Sequence, residues 1–256
     1  WVRTRYGQAA VSHVKNKYAL LQLGADVNRV TESGRVTLGF AFDYTDDSLT
    51  FRRGDGDAYR YGVSFYDTWR NTSGWYADAV LRAGVISNRM QGASSGGQAL
   101  NTRFHNSYGS ASLEVGRKAE LKGGFFIEPQ AQFQISVIDG ASFTTSSGVR
   151  GDEGSVVSAA GRAGFRAGRS LGTGALYLKG DVLHEFAGDR AMRATSLDGR
   201  ETIRRSSDGS TTWYDAGLGA NVNLGRRTFL WADAEGVFGG GYGSAWQVNA
   251  GVRWKF

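Results

Sequence analysis

The feature that most constrains this chain is a strict alternation of apolar and polar side chains over 246–256. The apolar positions are Trp246, Val248, Ala250, Val252, Trp254 and Phe256, and the residues between them are polar or glycine. A period of two places successive side chains on opposite faces of a β-strand. The same alternation recurs over 19–27 and 36–44. The sequence therefore predicts strands that each present one apolar face.

Other segments also have the composition of strands, and together with these three they bring the predicted total to twelve. They lie near 1–12, 59–69, 74–87, 104–116, 124–138, 156–168, 175–186, 212–224 and 228–238. Pro129 falls inside one of them, and a proline removes a hydrogen bond from a paired strand. We expect a local irregularity at that position.

The connections between the predicted strands alternate in length. Short, turn-like connections occur at 29–34, 71–73, 117–123, 169–174 and 225–227. The alternate connections are mostly longer, at 45–58, 88–103, 139–155 and 187–211, although 13–16 and 239–244 are short. The long stretches are polar and rich in Gly, Ser, Asp and Arg, which indicates solvated loops. Short turns on one rim and long loops on the other are typical of bacterial outer-membrane barrels, whose turns and chain ends are periplasmic.

Outward-facing aromatic residues fall into two bands along these strands. One rim carries Trp69, Trp75, Phe125, Trp254 and Phe256, and the other carries Tyr44, Tyr59, Phe186, Tyr214, Phe238 and Trp246. Amphipathic rings favour the level of the lipid headgroups. The predicted fold class is therefore all-β, a single transmembrane antiparallel β-barrel of about 12 strands over 1–256, with both termini periplasmic.

Composition excludes several other classes of protein. The chain has no apolar run of about 18 residues, and its mean hydropathy is -0.35, so helical membrane spans are excluded. It contains no cysteine, and no motif indicates a metal or an organic cofactor. The net charge of +6 is scattered rather than clustered, which argues against a nucleic-acid partner. The opening residues 1–4 resemble neither a signal peptide nor a methionine start, so we expect a fragment or a processed product.

Several short segments resemble the C-terminal β-domain of classical (type Va) autotransporters. They are Trp1-Val2-Arg3, Gln22-Leu23-Gly24-Ala25-Asp26, Gly74-Trp75-Tyr76-Ala77-Asp78, Ser112-Leu113-Glu114-Val115-Gly116, Ile127-Glu128-Pro129-Gln130, Leu183-His184-Glu185-Phe186 and Asn249-Ala250-Gly251-Val252-Arg253-Trp254-Lys255-Phe256. The resemblance covers essentially the whole chain. It implies a translocator domain that exports an upstream passenger across the Gram-negative outer membrane by the type V route. Its implied partners are its own passenger and linker, outer-membrane lipids and the barrel assembly machinery, and the domain is expected to be a monomer with extracellular loops.

Alternation also predicts which polar side chains line the lumen. The main set is Asp26, Arg60, Arg82, Gln130, Arg162, Asp181, Glu185 and Arg253, joined by others such as Asp43, Arg166, Lys179, Asp233 and Glu235. We expect these acids and bases to pair and to hold a helical linker. Twelve strands spaced about 4.8 Å apart and tilted roughly 40° give a backbone radius on the order of 12 Å, which leaves room for about one helix.

The resemblance suggests two further roles for particular residues. In some family members, lumenal acids promote cleavage of the linker, and the matching positions here are Asp78, Glu114 and Glu128. Such an acid would activate an Asn side chain for attack on its own backbone. The terminal Val252, Trp254 and Phe256 resemble the sorting signal read by the assembly machinery, although these side chains also have a simple role in facing lipid.

Two other functions stay open on the sequence alone. A stand-alone solute channel could use the same charged lumen. An outer-membrane phospholipase would need a Ser–His pair on the outer wall, with a third group orienting the histidine. His13 and His105 have no neighbouring serine in a recognisable motif, and the position of His184 is more typical of a residue at the rim of a strand than of a catalytic base. We therefore expect that this chain is not an enzyme.

Overall fold

The computed structural model describes residues 1–11, 13–94 and 96–255. Its strands are β1 (Val2–Val11), β2 (Val14–Thr31), β3 (Gly34–Phe51), β4 (Gly54–Arg70), β5 (Trp75–Gly92), β6 (Thr102–Arg117), β7 (Ala119–Glu120), β8 (Phe125–Ile138), β9 (Ala141–Thr144), β10 (Arg150–Glu153), β11 (Val156–Ser170), β12 (Gly174–Glu185), β13 (Arg190–Thr195), β14 (Thr202–Ser207), β15 (Thr211–Leu224), β16 (Thr228–Gly239) and β17 (Tyr242–Trp254). A 3₁₀ turn, Lys122–Gly124, precedes β8. Within the described ranges, no helix has the length and hydropathy needed to cross a bilayer.

Twelve long strands form one closed antiparallel ring. Its order is β1, β2, β3, β4, β5, β6, β8, β11, β12, β15, β16 and β17, and β17 pairs back onto β1 from Val2↔Val252 onward. Closure satisfies the backbone groups of both would-be edge strands, which a membrane-spanning sheet requires. The predicted twelve-stranded antiparallel barrel is confirmed, and each predicted strand corresponds to one strand of the ring.

The register of the ring fixes its width. Following paired residues once around the barrel from β1 back to β1 gives a stagger of about 14 residues. That stagger tilts the strands by roughly 40° and gives a backbone radius of about 12 Å. The interior is therefore about as wide as a single helix once the inward side chains are in place.

The barrel is inside-out compared with a water-soluble protein. Large apolar side chains such as Phe40, Phe65 and Leu178 are exposed on the outer wall. Buried residues are mostly polar instead: Gln22, Asp43, Thr45, Asp47, Ser64, Asn88, Asn106, Glu128, Gln130, Asp181 and Asn249. An apolar outer band around a polar interior is the pattern of a barrel that faces lipid.

The prediction of a loop over 45–58 is wrong. β3 continues to Phe51, and only Arg52 and Arg53 separate it from β4. The two strands pair without a break from Phe51↔Gly54 to Arg35↔Arg70. Polar residues at 43–47 resemble a loop in sequence, yet alternate ones point inward and find partners across the barrel. Asp47, for example, is 4% exposed and binds Arg60. β5 likewise extends to Gly92, so the predicted loop over 88–103 shortens to 93–101.

The prediction that 139–155 and 187–211 are simple loops is also wrong. These stretches form a second antiparallel sheet, β9-β10-β13-β14, here termed the wall extension. Its strands continue the wall strands β8, β11, β12 and β15 in the same order. Gly140, Gly154, Gly188 and Gly209 lie in the four breaks between wall and extension. Gly188 has a φ of 90°, and a Cβ on Gly209 would overlap the Gly188 backbone, so bulkier residues do not fit there.

Pro129 marks the expected irregularity. β6 pairs with β8 as far as Gly116↔Gln130, and pairing resumes on β7 at Ala119↔Ile127. The missing rungs, at Arg117 and Lys118, are the ones that would face Pro129 and its neighbour. The other side of β8 pairs without interruption, and Phe165 lies opposite Pro129. A proline that lacks one donor therefore interrupts only one of its two ladders.

The two ends of the barrel differ in their connections. One end, here termed the turn rim, carries the turns at 32–33, 71–74, 118–124, 171–173 and 225–227. The opposite end, here termed the loop rim, carries the wall extension.

Candidate functional site in the barrel lumen

The predicted lumenal side chains lie on the inward face of their strands. Asp26, Arg60, Arg82, Gln130, Arg162, Asp181 and Arg253 each alternate with exposed apolar or small neighbours and contact residues across the interior. Glu185 lies at the loop-rim end of β12, where it accepts hydrogen bonds from the Ser158 hydroxyl at 2.6 Å and the Ala159 backbone amide at 2.7 Å. Glu185 therefore holds the segment between β12 and β13 at the loop rim and does not line the middle of the lumen.

Arg162 on β11 organises the central cluster of charges. Its guanidinium lies 2.5 Å from Glu114 Oε2 and 2.9 Å from Asp181 Oδ1, and its Nε donates to Gln132 at 3.1 Å. The Tyr76 hydroxyl donates to Glu114 at 2.7 Å. One arginine therefore joins β6, β8 and β12 through charge-assisted hydrogen bonds, which are the stronger kind.

Two more cations, Arg166 and Lys179, flank this cluster. Arg166 contacts Glu128, whose carboxylate is 8% exposed. Lys179 contacts Glu235 and lies 3.7 Å from Asp233. Three cations on this side of the lumen thus contact five acids, which lie on β6, β8, β12 and β16.

A third cluster lies nearer the turn rim and involves Trp1. The Trp1 indole donates to the Tyr66 hydroxyl at 2.6 Å, and that hydroxyl donates to Asp26 at 2.9 Å. Arg253 contacts the same carboxylate at 2.5 Å. The Trp1 ring lies directly over Gly24, where a Cβ would overlap it. The cluster ties β1, β2, β4 and β17 together across the seam of the ring.

A fourth cluster lies toward the loop rim. Arg60 makes two contacts with Asp47, at 2.8 Å and 3.2 Å, and the Asn16 amide donates to the same carboxylate at 2.9 Å. Arg82 Nε lies 3.5 Å from Asp43. Sequence reasoning placed Asp47 in a loop and did not select Tyr66 or Tyr76. They could have been found by extending the alternation of inward and outward side chains in each strand beyond its apolar residues.

The three candidate acids have different surroundings. Glu114 and Glu128 are each held by an arginine, as described above. Asp78 accepts a hydrogen bond from the Thr68 hydroxyl at 2.7 Å and has no ion pair within the described residues. It lines a lumenal cavity of about 570 Å³ together with Trp1, Tyr66, Arg82 and Arg253. Of the three candidate acids, Asp78 is therefore the one that lines this cavity and has no cationic partner among the described residues.

The residues that resemble a sorting signal are described in part. Val252 and Trp254 lie on the outer wall of β17, and Trp254 is 46% exposed. Phe256 lies outside the described residues. In the described ranges, no group of three or more His, Asp or Glu side chains is placed to hold a metal ion.

These features define a class of protein: a closed twelve-stranded barrel with a lipid-facing outer wall and a helix-wide lumen lined by ion pairs. Comparisons with known proteins narrow the class. The family model "Autotransporter beta-domain" matches residues 1–235. The chain therefore belongs to the autotransporter β-domain family, whose members are outer-membrane translocator domains for type V secretion and not enzymes. Membership excludes the phospholipase alternative.

Individual relatives agree with this assignment. The pertactin autotransporter of Bordetella bronchiseptica is 31% identical over 94% of this chain and 26% of its own length. The BrkA autotransporter of Bordetella pertussis is 27% identical over 92% of this chain and 23% of its own length. This chain thus spans about a quarter of the length of these relatives.

Solved structures show the same fold. The β-domain of the Bordetella autotransporter BrkA superposes with a TM-score of 0.80 at 24% identity, covering 100% of this chain and 98% of that one. The translocator domain of NalP from Neisseria meningitidis gives a TM-score of 0.79 at 14% identity, covering 100% and 87%.

Proposed function

We propose that this barrel exports its passenger as an unfolded or helical segment and afterwards retains one linker helix in its lumen. The observation that carries the proposal is the width of the lumen, which the ring of twelve strands and its stagger limit to about one helix. A folded passenger domain is several helices wide. Clusters of polar groups on all sides of the lumen give a linker helix many hydrogen-bond partners.

The test is export of a passenger that cannot unfold. A passenger carrying an engineered internal disulfide is expressed on the full-length protein, under oxidising and reducing conditions. We expect surface display when the disulfide is reduced and arrest when it is formed. Equal display of the folded, cross-linked passenger would contradict the proposal. A passenger with the two cysteines replaced by serine is the matched control.

We further propose that the loop rim is extracellular and that the turn rim is periplasmic. The start of β1 and the end of β17 lie at the turn rim. Short connections at one end and the wall extension at the other support this orientation. Assembly of the monomeric barrel in the outer membrane is assigned to the barrel assembly machinery, with Val252, Trp254 and Phe256 as its recognition residues. The outward position of Val252 and Trp254 on β17 leaves both accessible for such recognition.

If the passenger is released by cleavage, we propose that Asp78 is the acid that promotes it. Activation of an Asn side chain requires a carboxylate within hydrogen-bond reach and not already neutralised. Asp78 meets the second condition better than Glu114 and Glu128, because arginines hold the latter two. Those two acids then serve to position the linker rather than to activate it.

A further inference from the structure

Two arginines lie directly opposite each other on the outside of the barrel near the loop rim. Arg89 on β5 pairs in register with Arg103 on β6, and both side chains are exposed. Like charges at directly opposed positions destabilise a sheet. Among the described residues neither guanidinium has an ion-pair or hydrogen-bond partner. Asp57 faces Arg89 from β4 without forming an ion pair, so a positive charge remains uncompensated.

The two arginines line a groove, here termed the arginine groove, of about 530 Å³. Its other described lining residues are Met90, Gln91, Asn101, Thr102, Thr144, Thr145 and Ser146. None of these is acidic, and several carry hydroxyl or amide groups. The groove is formed where the end of β6 meets the β9–β10 turn, because the Asn101 backbone amide donates to the Ser146 hydroxyl at 3.2 Å. A cationic, hydroxyl-bearing groove is suited to a phosphate group.

The level of the arginine groove relative to the outer aromatic residues indicates what phosphate it meets. Tyr59 pairs with Ser87, and its ring stacks on Tyr44 with centroids 6.5 Å apart. Arg89 lies two residues beyond Ser87 toward the loop rim, which is a rise of about 6.6 Å. Aromatic rings mark the lipid–water interface. The guanidinium groups therefore lie at the depth of lipid phosphates rather than of acyl chains.

We propose that the arginine groove binds a phosphate group of the lipid A headgroup in the outer leaflet of the outer membrane. The choice of leaflet rests on the proposed orientation, in which the loop rim is extracellular. Two guanidinium forks can each donate a pair of hydrogen bonds to one phosphate, and its negative charge removes their mutual repulsion. The lipid thereby stabilises the β5–β6 edge of the loop rim.

The test uses the folded chain in detergent, with diphosphoryl lipid A as the probe. Binding is measured by native mass spectrometry for the wild type and for Arg89→Gln/Arg103→Gln. The matched control is Arg193→Gln/Arg204→Gln, which removes another directly opposed arginine pair, on the wall extension beyond the bilayer. We expect lipid A to bind the groove variant on the order of tenfold more weakly than the wild type and the control variant.

A second measurement separates binding from a loss of folding. Without lipid, the groove variant is expected to melt at or above the temperature of the wild type, since a repulsive pair has been removed. With lipid A, the order should reverse. Equal lipid binding by wild type and groove variant overturns the proposal, as does equal retention of dephosphorylated lipid A. Displacement of lipid A by equimolar inorganic phosphate would instead assign the groove to free phosphate and overturn the lipid assignment.

Passenger display on cells is a separate readout. Lipid A binding by the groove variant equal to that of the wild type would contradict only the groove proposal, and display of a folded, cross-linked passenger would contradict only the export proposal.

Discussion

Asp78 differs from the other two candidate acids, Glu114 and Glu128, in what surrounds it. Its carboxylate has one hydroxyl partner, Thr68, whereas Glu114 is held by both Tyr76 and Arg162. Strand parity in the sequence predicts that all of these acids face inward. This alternation does not predict which acids form ion pairs, because the partners lie far apart in the chain. Arg162 and Glu114, for example, are separated by 48 residues.

Asp78→Asn in the full-length protein is expected to abolish or strongly slow passenger release, because the amide cannot activate a neighbouring Asn side chain. Glu114→Gln and Glu128→Gln are expected to slow release by a smaller factor. Release is followed on a denaturing gel. Glu120→Gln is the control, since Glu120 lies on β7 at the turn rim and its one ion pair among the described residues is with Lys118. Release by the Asp78 variant at the wild-type rate would remove this residue from the mechanism.

Arg162→Met is expected to destabilise the barrel by about 1–3 kcal/mol, because it leaves two part-buried carboxylates without their shared cation. The side chains of Arg162 and Asp181 are 19% and 2% exposed, so solvent screening is limited. Arg162→Lys should recover only part of the loss, since an ammonium cannot reproduce the guanidinium fork. Urea midpoints in micelles measure the effect. The exposed pair Arg150–Asp152 supplies the control variant, Arg150→Met, for which little change is expected.

At the scale of single elements, the alternation of apolar residues predicts the strands well wherever one face meets lipid. It fails beyond the lipid level, because both faces of a strand are then polar and the sequence resembles a loop. β14 is the clearest case, with every residue exposed, and β3 continues as a paired strand through the polar residues Asp46, Asp47 and Ser48. These segments are strands because they pair with neighbouring strands that are fixed in the barrel. Such pairing leaves no periodic pattern in the sequence.

The wall extension is expected to open more readily than the wall beneath it. Its strands are short and carry glycine at each junction, and β14 is exposed along its whole length. Amide hydrogen exchange should therefore be at least about tenfold faster in β13 and β14 than in β12 and β15. The barrel strands of the same molecule serve as the internal control. Equal protection of both sheets would show that the extension is as rigid as the wall. Asp152 adds some order, because the Ser142 hydroxyl donates to it at 2.6 Å and lowers the pKa of its carboxyl.

At the scale of the whole molecule, orientation in the membrane can be tested directly because the chain contains no cysteine. Asp198→Cys places a thiol on the β13–β14 turn, and Arg226→Cys places one on the β15–β16 turn. A membrane-impermeant maleimide applied to intact cells is expected to label the first and spare the second. After the outer membrane is permeabilised, both should react. Labelling of Arg226→Cys alone in intact cells would reverse the proposed orientation.

The width of the lumen leads to a prediction about ion flow. The isolated chain reconstituted in a planar bilayer is expected to conduct, since the described lumenal clusters leave a cavity between them. Extending the chain upstream by its linker should lower the single-channel conductance several-fold, because a helix fills a lumen of its own diameter. A linker of the same length made of Gly and Ser is the control. Identical conductance with and without the native linker would contradict the plugged lumen.

The seam between β1 and β17 has a consequence for the order of events in time. Val2 and Val252 are paired neighbours in space but stand 250 positions apart in the chain, so their contact carries nearly the largest loop-closure cost available to this sequence. Such a contact forms late. Until it forms, β1 and β17 are unpaired edge strands and the sheet does not yet enclose a lumen of fixed width. We therefore expect that a passenger hairpin too wide for the finished ring enters the barrel before β1 and β17 pair.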